Sequence, residues 1–142
     1  MDIRLIAVGR MKEKYLNDGI AEYRKRITRF ASFNIVEIKD ESAPENLSTK
    51  ELEKVKEVEG KRILEAIKPG EYVIALVVKG KRLTSEEFSS LLSDVKLRGF
   101  SKITFLIGGS NGLSDEVAAR ADLSLSFSSF TFPHQLMRLI LT

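Results

Sequence analysis

Two stretches of this chain carry residue types whose spacing suits the binding and positioning of a small molecule. Phe105-Leu106-Ile107 runs into Gly108-Gly109-Ser110-Asn111-Gly112-Leu113, and Leu123-Ser124-Leu125-Ser126-Phe127 runs on toward Thr131-Phe132-Pro133-His134-Gln135. Each is an apolar, strand-like run that empties into a loop and then feeds a helix. In open α/β sheets, ligands sit in the crevice outside the carboxyl ends of the strands. Two such loops this close in sequence predict one pocket built from both. The glycines let backbone approach a ligand and take positive φ angles. The helix that begins near Ser114 brings its amide-rich end to the same place.

The same residues exclude other chemistry. No Gly-Lys-Ser/Thr follows the glycines, so this is not a Walker loop. Neither this turn nor Gly9-Arg10-Met11 after the first apolar run has the Gly-x-Gly-x-x-Gly dinucleotide pattern. A nicotinamide oxidoreductase is disfavoured for that reason. Leu123-Ser124-Leu125-Ser126-Phe127-Ser128-Ser129 has no nucleophile elbow around it, and His134 is the chain's lone histidine, so a serine hydrolase is disfavoured. Cysteine is absent, which removes disulfides, thiolate metal sites and covalent cysteine catalysis. No metal is expected. A glycine-rich turn serving only strand–helix geometry, and a structural histidine, are the plainer readings of these residues taken singly.

The elements that must position them follow from periodicity. Residues 3–8 form a β-branched apolar run. Over 12–30, Leu16, Ile20, Tyr23, Ile27 and Phe30 recur at steps of four, three, four and three, one face of a helix. Residues 33–38 predict a second strand and 39–47, with Pro44 and Asn46, a polar loop. Ser48-Thr49-Lys50-Glu51 fits a capping box. Its helix carries Leu52, Val55, Ile63 and Ile67, has Gly60 as a weak point, and ends at Pro69-Gly70. Residues 72–78 are apolar throughout, as in a strand covered on both faces; 79–82 predict a turn. Thr84-Ser85-Glu86-Glu87 is a second capping box, opening a helix striped by Phe88, Leu91, Leu92 and Val95 that closes at Gly99. Residues 102–107 and 123–127 predict the fourth and fifth strands, with a short helix over 114–121 between them. Pro133 suits the first turn of a last helix, whose apolar residues run to Thr142 with no stop signal, the pattern of a helix cut short.

Strands alternating with helices predict one α/β domain with a mostly parallel sheet flanked by helices. With 142 residues, one core is enough. No apolar run approaches a membrane span and the N-terminus does not read as a signal peptide, so a cytoplasmic protein is expected. The net charge of +3 leans toward polyanionic partners. Arg24-Lys25-Arg26 with Arg29, and Lys79-Gly80-Lys81-Arg82, are the basic clusters, although charge runs are usually solvated faces.

Four segments carry a family resemblance: Gly9-Arg10-Met11-Lys12-Glu13-Lys14-Tyr15, Glu22-Tyr23-Arg24-Lys25-Arg26, Ile107-Gly108-Gly109-Ser110-Asn111-Gly112-Leu113, and the run from Leu125 through Thr131-Phe132-Pro133-His134-Gln135-Leu136-Met137-Arg138. Together they resemble the RlmH family, bacterial ribosomal RNA large-subunit methyltransferase H proteins of the SPOUT class. The resemblance implies an α/β sheet with a C-terminal trefoil knot, a homodimer, and S-adenosyl-L-methionine as cofactor. It implies methylation at N3 of a pseudouridine in large-subunit (23S) ribosomal RNA. By position, it implies cofactor contacts at Leu76, Gly108, Phe127, Ser128, Ser129, Phe130, Thr131 and Phe132. A side chain at Gly108 would be expected to occupy the ligand's place. His134 and Arg138 are the candidates for a catalytic role, and no residue is marked as the general base. In that family the last helix continues into a short basic tail containing Tyr-His-Lys. The expectation is therefore a single domain over 1–142 that lacks this tail.

The few base-reading features suggest that the assembled ribosome is the substrate. The alternative from a different class is a non-catalytic nucleotide- or RNA-binding α/β module, which would explain the basic balance and the glycine loop without chemistry.

Overall fold

The computed structural model describes residues 1–41 and 47–142; Pro44 and Asn46 of the expected polar loop lie outside them. In chain order the elements are β1 (Asp2–Val8), α1 (Lys14–Ile27), β2 (Ser32–Ile38), α2 (Thr49–Ala66) and β3 (Tyr72–Arg82). Then come α3 (Ser85–Leu97), β4 (Lys102–Ile107), α4 (Asp115–Arg120), β5 (Leu123–Ser126) and α5 (His134–Leu141). The strands form one sheet in the order β2-β1-β4-β3-β5, and every pairing is parallel. The sheet is thus wholly rather than mostly parallel. All strand carboxyl ends open on one edge.

Alternation along the strands divides the core between two faces. Leu5, Ala7, Ile74, Phe105 and Ile107 point to the side covered by α1, α3 and α5, where Ile27, Phe88, Leu91, Leu92, Met137 and Leu141 meet them. Ile6, Val8, Val73 and Leu106 point to the other side, under Ile63 of α2 and Val117 of α4. Each such side chain removed from water contributes about 1.5–3 kcal/mol. A third cluster, Met11, Leu16 and Ile20 with Leu136 and Leu139, joins α1 to α5. So α5 starts near the β5 edge and returns to pack on α1. This course is consistent with the knot the resemblance implies.

Helix starts follow their caps. Thr84 and Glu87 make both bonds of the capping box. Ser48 makes only half of one: it accepts from the Glu51 amide, while its own hydroxyl donates to the Glu51 carboxylate. The first helix is shorter than 12–30, and the second ends before Pro69, because residues 67–68 already turn toward β3. Pro133 caps α5 from outside rather than sitting in its first turn.

One expectation fails. Residues 79–82 are not a turn: β3 continues to Arg82, with its pairing to β5 slipping between Leu76 and Lys81. Gly80 makes this possible, since a β-carbon there would lie 2.7–2.8 Å from the backbone of Ser124 and Leu125. The glycine that reads as a turn marker instead lets two backbones touch. Among the described residues, no helix is long and apolar enough to cross a membrane.

At the amino edge of the sheet a buried polar knot closes the fold. The Arg4 guanidinium donates to both oxygens of Glu71 at 2.8 Å and to the Ala66 carbonyl at 2.7 Å, and the Thr104 hydroxyl donates to Glu71 at 2.7 Å. Glu71 is 5% exposed, so Glu71→Ala would leave a guanidinium and a hydroxyl without their acceptor. Urea denaturation is expected to show a loss of about 3–5 kcal/mol.

Candidate functional site

The cleft opens at the carboxyl ends of β3, β4 and β5. It has a volume of about 620 Å³, within the range of small-molecule sites. Leu76 of β3, Ile107 of β4 and Leu125 of β5 line it, together with the glycine loop and the 127–133 loop. Both loops predicted to share a pocket do so.

Of the residues singled out by the resemblance, Leu76, Gly108, Phe127, Ser128, Phe130, Thr131 and Phe132 all line the cleft. Ser129 is exposed and is not among the lining residues. The sequence reading passed over Val77, Val78, Leu113 and Met137, which line it too. Val77 and Val78 enter because β3 bows where its register slips, a feature with no signature in an unbroken apolar run.

The glycine loop is a tight turn. The Gly112 amide donates to the Gly109 carbonyl at 3.0 Å, and Gly112 has φ +84°. Gly108 is required by the fold of the loop itself. A β-carbon there would lie 2.8–2.9 Å from the Gly112 carbonyl group and 3.1 Å from the Leu113 nitrogen. It would collide with the loop folding back, not only with space for a ligand. The Ser114 hydroxyl caps α4 by accepting from Val117.

Serines of the second loop serve its shape. The Ser126 hydroxyl donates to the Ser128 carbonyl at 2.9 Å, and the Ser128 hydroxyl accepts from the Phe130 amide at 3.1 Å. Neither has a base poised to activate it. These bonds shape the loop that carries Phe127, which is 38% exposed, and Phe130, which is 76% exposed.

His134 stands at the start of α5, half-buried on the cleft wall. Burial lowers its pKa below the ordinary imidazole value; the Arg138 charge pushes the same way, and Asp40 opposes both. The ring is therefore neutral at pH 7. Arg138 does not line the cleft. It is 1% exposed, and its guanidinium donates to the carbonyls of Val8 and Gly9 and to the Glu37 carboxylate, each at 2.9 Å. Burial lowers its pKa, but the Glu37 partner keeps it charged. The structure thus brings His134 to the cleft and assigns Arg138 to the frame behind it.

Among the described residues no Asp, Glu, Lys or Arg lines the cleft, and no group of three or more potential metal ligands occurs. What remains is apolar surface, aromatic rings, backbone amides and carbonyls, the four hydroxyls of Ser110, Ser126, Ser128 and Thr131, and one imidazole. Such a lining can sandwich a flat heterocycle and hydrogen-bond its edge. It offers no countercharge for a bare phosphate.

Comparison with known proteins agrees with this class of site. A family model described as "Predicted SPOUT methyltransferase" matches residues 1–142. The chain is 58% identical over 141 residues to "Ribosomal RNA large subunit methyltransferase H" of Lactobacillus johnsonii, covering 99% of this chain and 89% of that protein. Proteins of the same name from Carboxydothermus hydrogenoformans and Clostridioides difficile are 57% and 56% identical over the same shares. The chain belongs to the SPOUT methyltransferases and, within them, to the ribosomal RNA large subunit methyltransferase H family.

The His134 environment carries a pH signature. A histidine with a lowered folded pKa binds its proton more readily when unfolded, so its contribution to stability is complete above the unfolded value of about 6.5. That contribution is lost as pH falls from there through the folded value. Urea midpoints of wild type and His134→Asn, compared between about pH 7.5 and 5, are expected to converge as the pH drops. Parallel curves would show that the imidazole is not desolvated.

Proposed function

We propose that this chain binds S-adenosylmethionine in the cleft and transfers its methyl group to N3 of a pseudouridine in large-subunit ribosomal RNA. The observation that carries the reading is the cleft itself. A methyltransferase family fold has two loops, one rich in glycine and one in phenylalanine, around a mostly apolar cavity large enough for a nucleoside-based cofactor. The relatives' printed names direct the substrate to the ribosomal large subunit.

The lining fits the cofactor. Leu76, Leu113, Leu125 and Phe132 offer apolar faces for the adenine, and backbone groups of the two loops can bond its edge and the ribose. The rings of Phe127 and Phe130 on the cleft suit a cation, since aromatic faces attract positive charge without demanding a carboxylate. When bound, the cofactor supplies an electrophilic methyl on a sulfonium. The protein's part is to orient, to exclude water and to manage one proton. The attacking nitrogen must lose that proton. His134, neutral and on the cleft wall, is the titratable side chain placed to hold it or to bond the base.

The RNA-facing surface and the subunit contact belong to the same proposal. Lys79, Lys81 and Arg82 extend along β3 from the cleft. Lys25, Arg29 and their neighbours crowd the end of α1, although Arg26 is already held by Glu22 and lies 5.0 Å over the Tyr23 ring. Exposed Tyr15, Tyr23 and Phe30 on or beside α1, with Ile140 on α5, offer apolar area for a homodimer. The setting would be the cytoplasm, with the assembled ribosome as substrate.

Incubation with methyl-labelled S-adenosylmethionine tests this. Label is expected in large-subunit RNA of intact ribosomes, falling steeply with added salt as phosphate contacts are screened, and far less in naked RNA. Equal labelling of naked RNA would remove the ribosome as substrate. No labelling of either would replace the enzyme with a non-catalytic RNA-binding module.

A further inference from the structure

Glu59, in the middle of α2, does not line the cleft and has no part in the chemistry above. Yet it is 4% exposed, a rare position for a carboxyl group in a helix facing a core. One oxygen, Oε2, accepts from the Glu41 amide at 3.0 Å. The other, Oε1, is buried with no hydrogen-bond partner among the described residues. Directly above them sits Gly109, whose missing β-carbon would lie 3.5 and 3.6 Å from the two oxygens.

The neighbouring residue repeats the pattern. Any side chain at Gly60 would run into Ser114, with Val117 at 3.2 Å. Residues 59 and 60 of α2 therefore seat both ends of the glycine loop, Gly109 at one and the α4 cap at the other. The same carboxyl group holds the segment after β2. Arg62, one turn on, reinforces that hold by donating to the Lys39 carbonyl at 2.9 Å and to Glu41 at 3.0 Å. Asp40 of this segment is close enough to His134 to raise its proton affinity. A single buried group thus lies between the glycine loop and a segment that acts electrostatically on the cleft wall.

We propose that Glu59 is a positioning residue: by accepting from the Glu41 amide while packed beneath Gly109, it holds the glycine loop in register with the 39–41 segment, and so fixes the cofactor wall of the cleft. This rests on the cofactor reading above. The cost of the arrangement supports it. A buried carboxyl with an unsatisfied oxygen destabilises a fold relative to an apolar side chain of similar shape, so packing alone gives no reason for it. Burial raises its pKa and Asp40 adds to the rise, against the Glu41 amide and Arg62. Protonation of Oε1 would turn the orphan acceptor into a donor.

Glu59→Gln and Glu59→Met separate positioning from packing. Glutamine keeps an acceptor for the Glu41 amide and adds a donor; methionine keeps only the volume. Glu59→Met is expected to melt no lower than wild type, yet to exchange the amide hydrogens of residues 109–112 about tenfold faster. It should also bind S-adenosylmethionine about tenfold more weakly by calorimetry. Glu59→Gln should stay within about threefold of wild type in both readouts. Wild-type exchange and affinity in Glu59→Met overturn the proposal, as does Glu59→Gln failing as badly as Glu59→Met. If wild type itself binds no S-adenosylmethionine, the cofactor reading fails, and the exchange measurement still decides the role of Glu59.

Discussion

The buried guanidinium of Arg138 is the contact on which the site's geometry depends. It reaches from α5 across the sheet edge to the last carbonyls of β1 and to Glu37 of β2, satisfying groups that would otherwise end unpaired as the strands run out. These bonds tie α5, with His134 one turn earlier and the 127–133 loop before it, to the carboxyl edge of the sheet. Its own cost is high, since a desolvated cation must be matched by acceptors in good geometry. Here one carboxylate and two carbonyls at 2.9 Å serve its two terminal nitrogens, while Nε has no partner among the described residues. Losing any one would leave the charge under-compensated next to the cleft.

Around that anchor the remaining parts are nested supports. The parallel sheet delivers Leu76, Ile107 and Leu125 to one place, where they line the cleft. Gly80 lets β3 and β5 approach until their backbones touch, which bows Val77 and Val78 into the wall. Gly108 lets the chain fold back on Gly112 and Leu113, so the opposite wall is made of backbone rather than side chains. A wall of this kind presents amides and carbonyls at fixed positions, which suits recognition of a heterocycle's edge. It also leaves charge out of the cavity, so among the described residues the His134 imidazole is the ionisable side chain on the cleft wall at neutral pH.

Much of this was legible in the sequence, and the failures have physical causes. The continuous apolar runs of the strands, the 3.6-residue stripe of α1 and the capping box at Thr84 are local signals, and each produced the expected element. The pairing of the glycine loop with the Phe127–Phe132 loop also followed, because strand ends in a parallel sheet must share an edge. Gly80 misled because a glycine between lysines looks the same whether it turns the chain or admits a neighbouring backbone. Arg138 stands at i+4 from His134 and so shares its side of the helix, but its long side chain ends on Val8, Gly9 and Glu37 behind the cleft, a destination set by β1 and β2 that no local pattern announces. Glu59 left no trace at all. It lies in a run of alternating charges on a helix that reads as solvated, and its burial is decided by α4 and the glycine loop, more than forty residues away.

The central claim is that the two loops and the three strand ends form a cofactor site. A crystal structure of this chain grown with S-adenosylhomocysteine would address it most directly. The account predicts the adenine between Leu76, Leu113 and Phe132, its edge bonded to backbone of the two loops, and the sulfur facing the His134 side of the cleft. Ligand bound elsewhere on the chain, or a cleft left empty at saturating ligand, would contradict it.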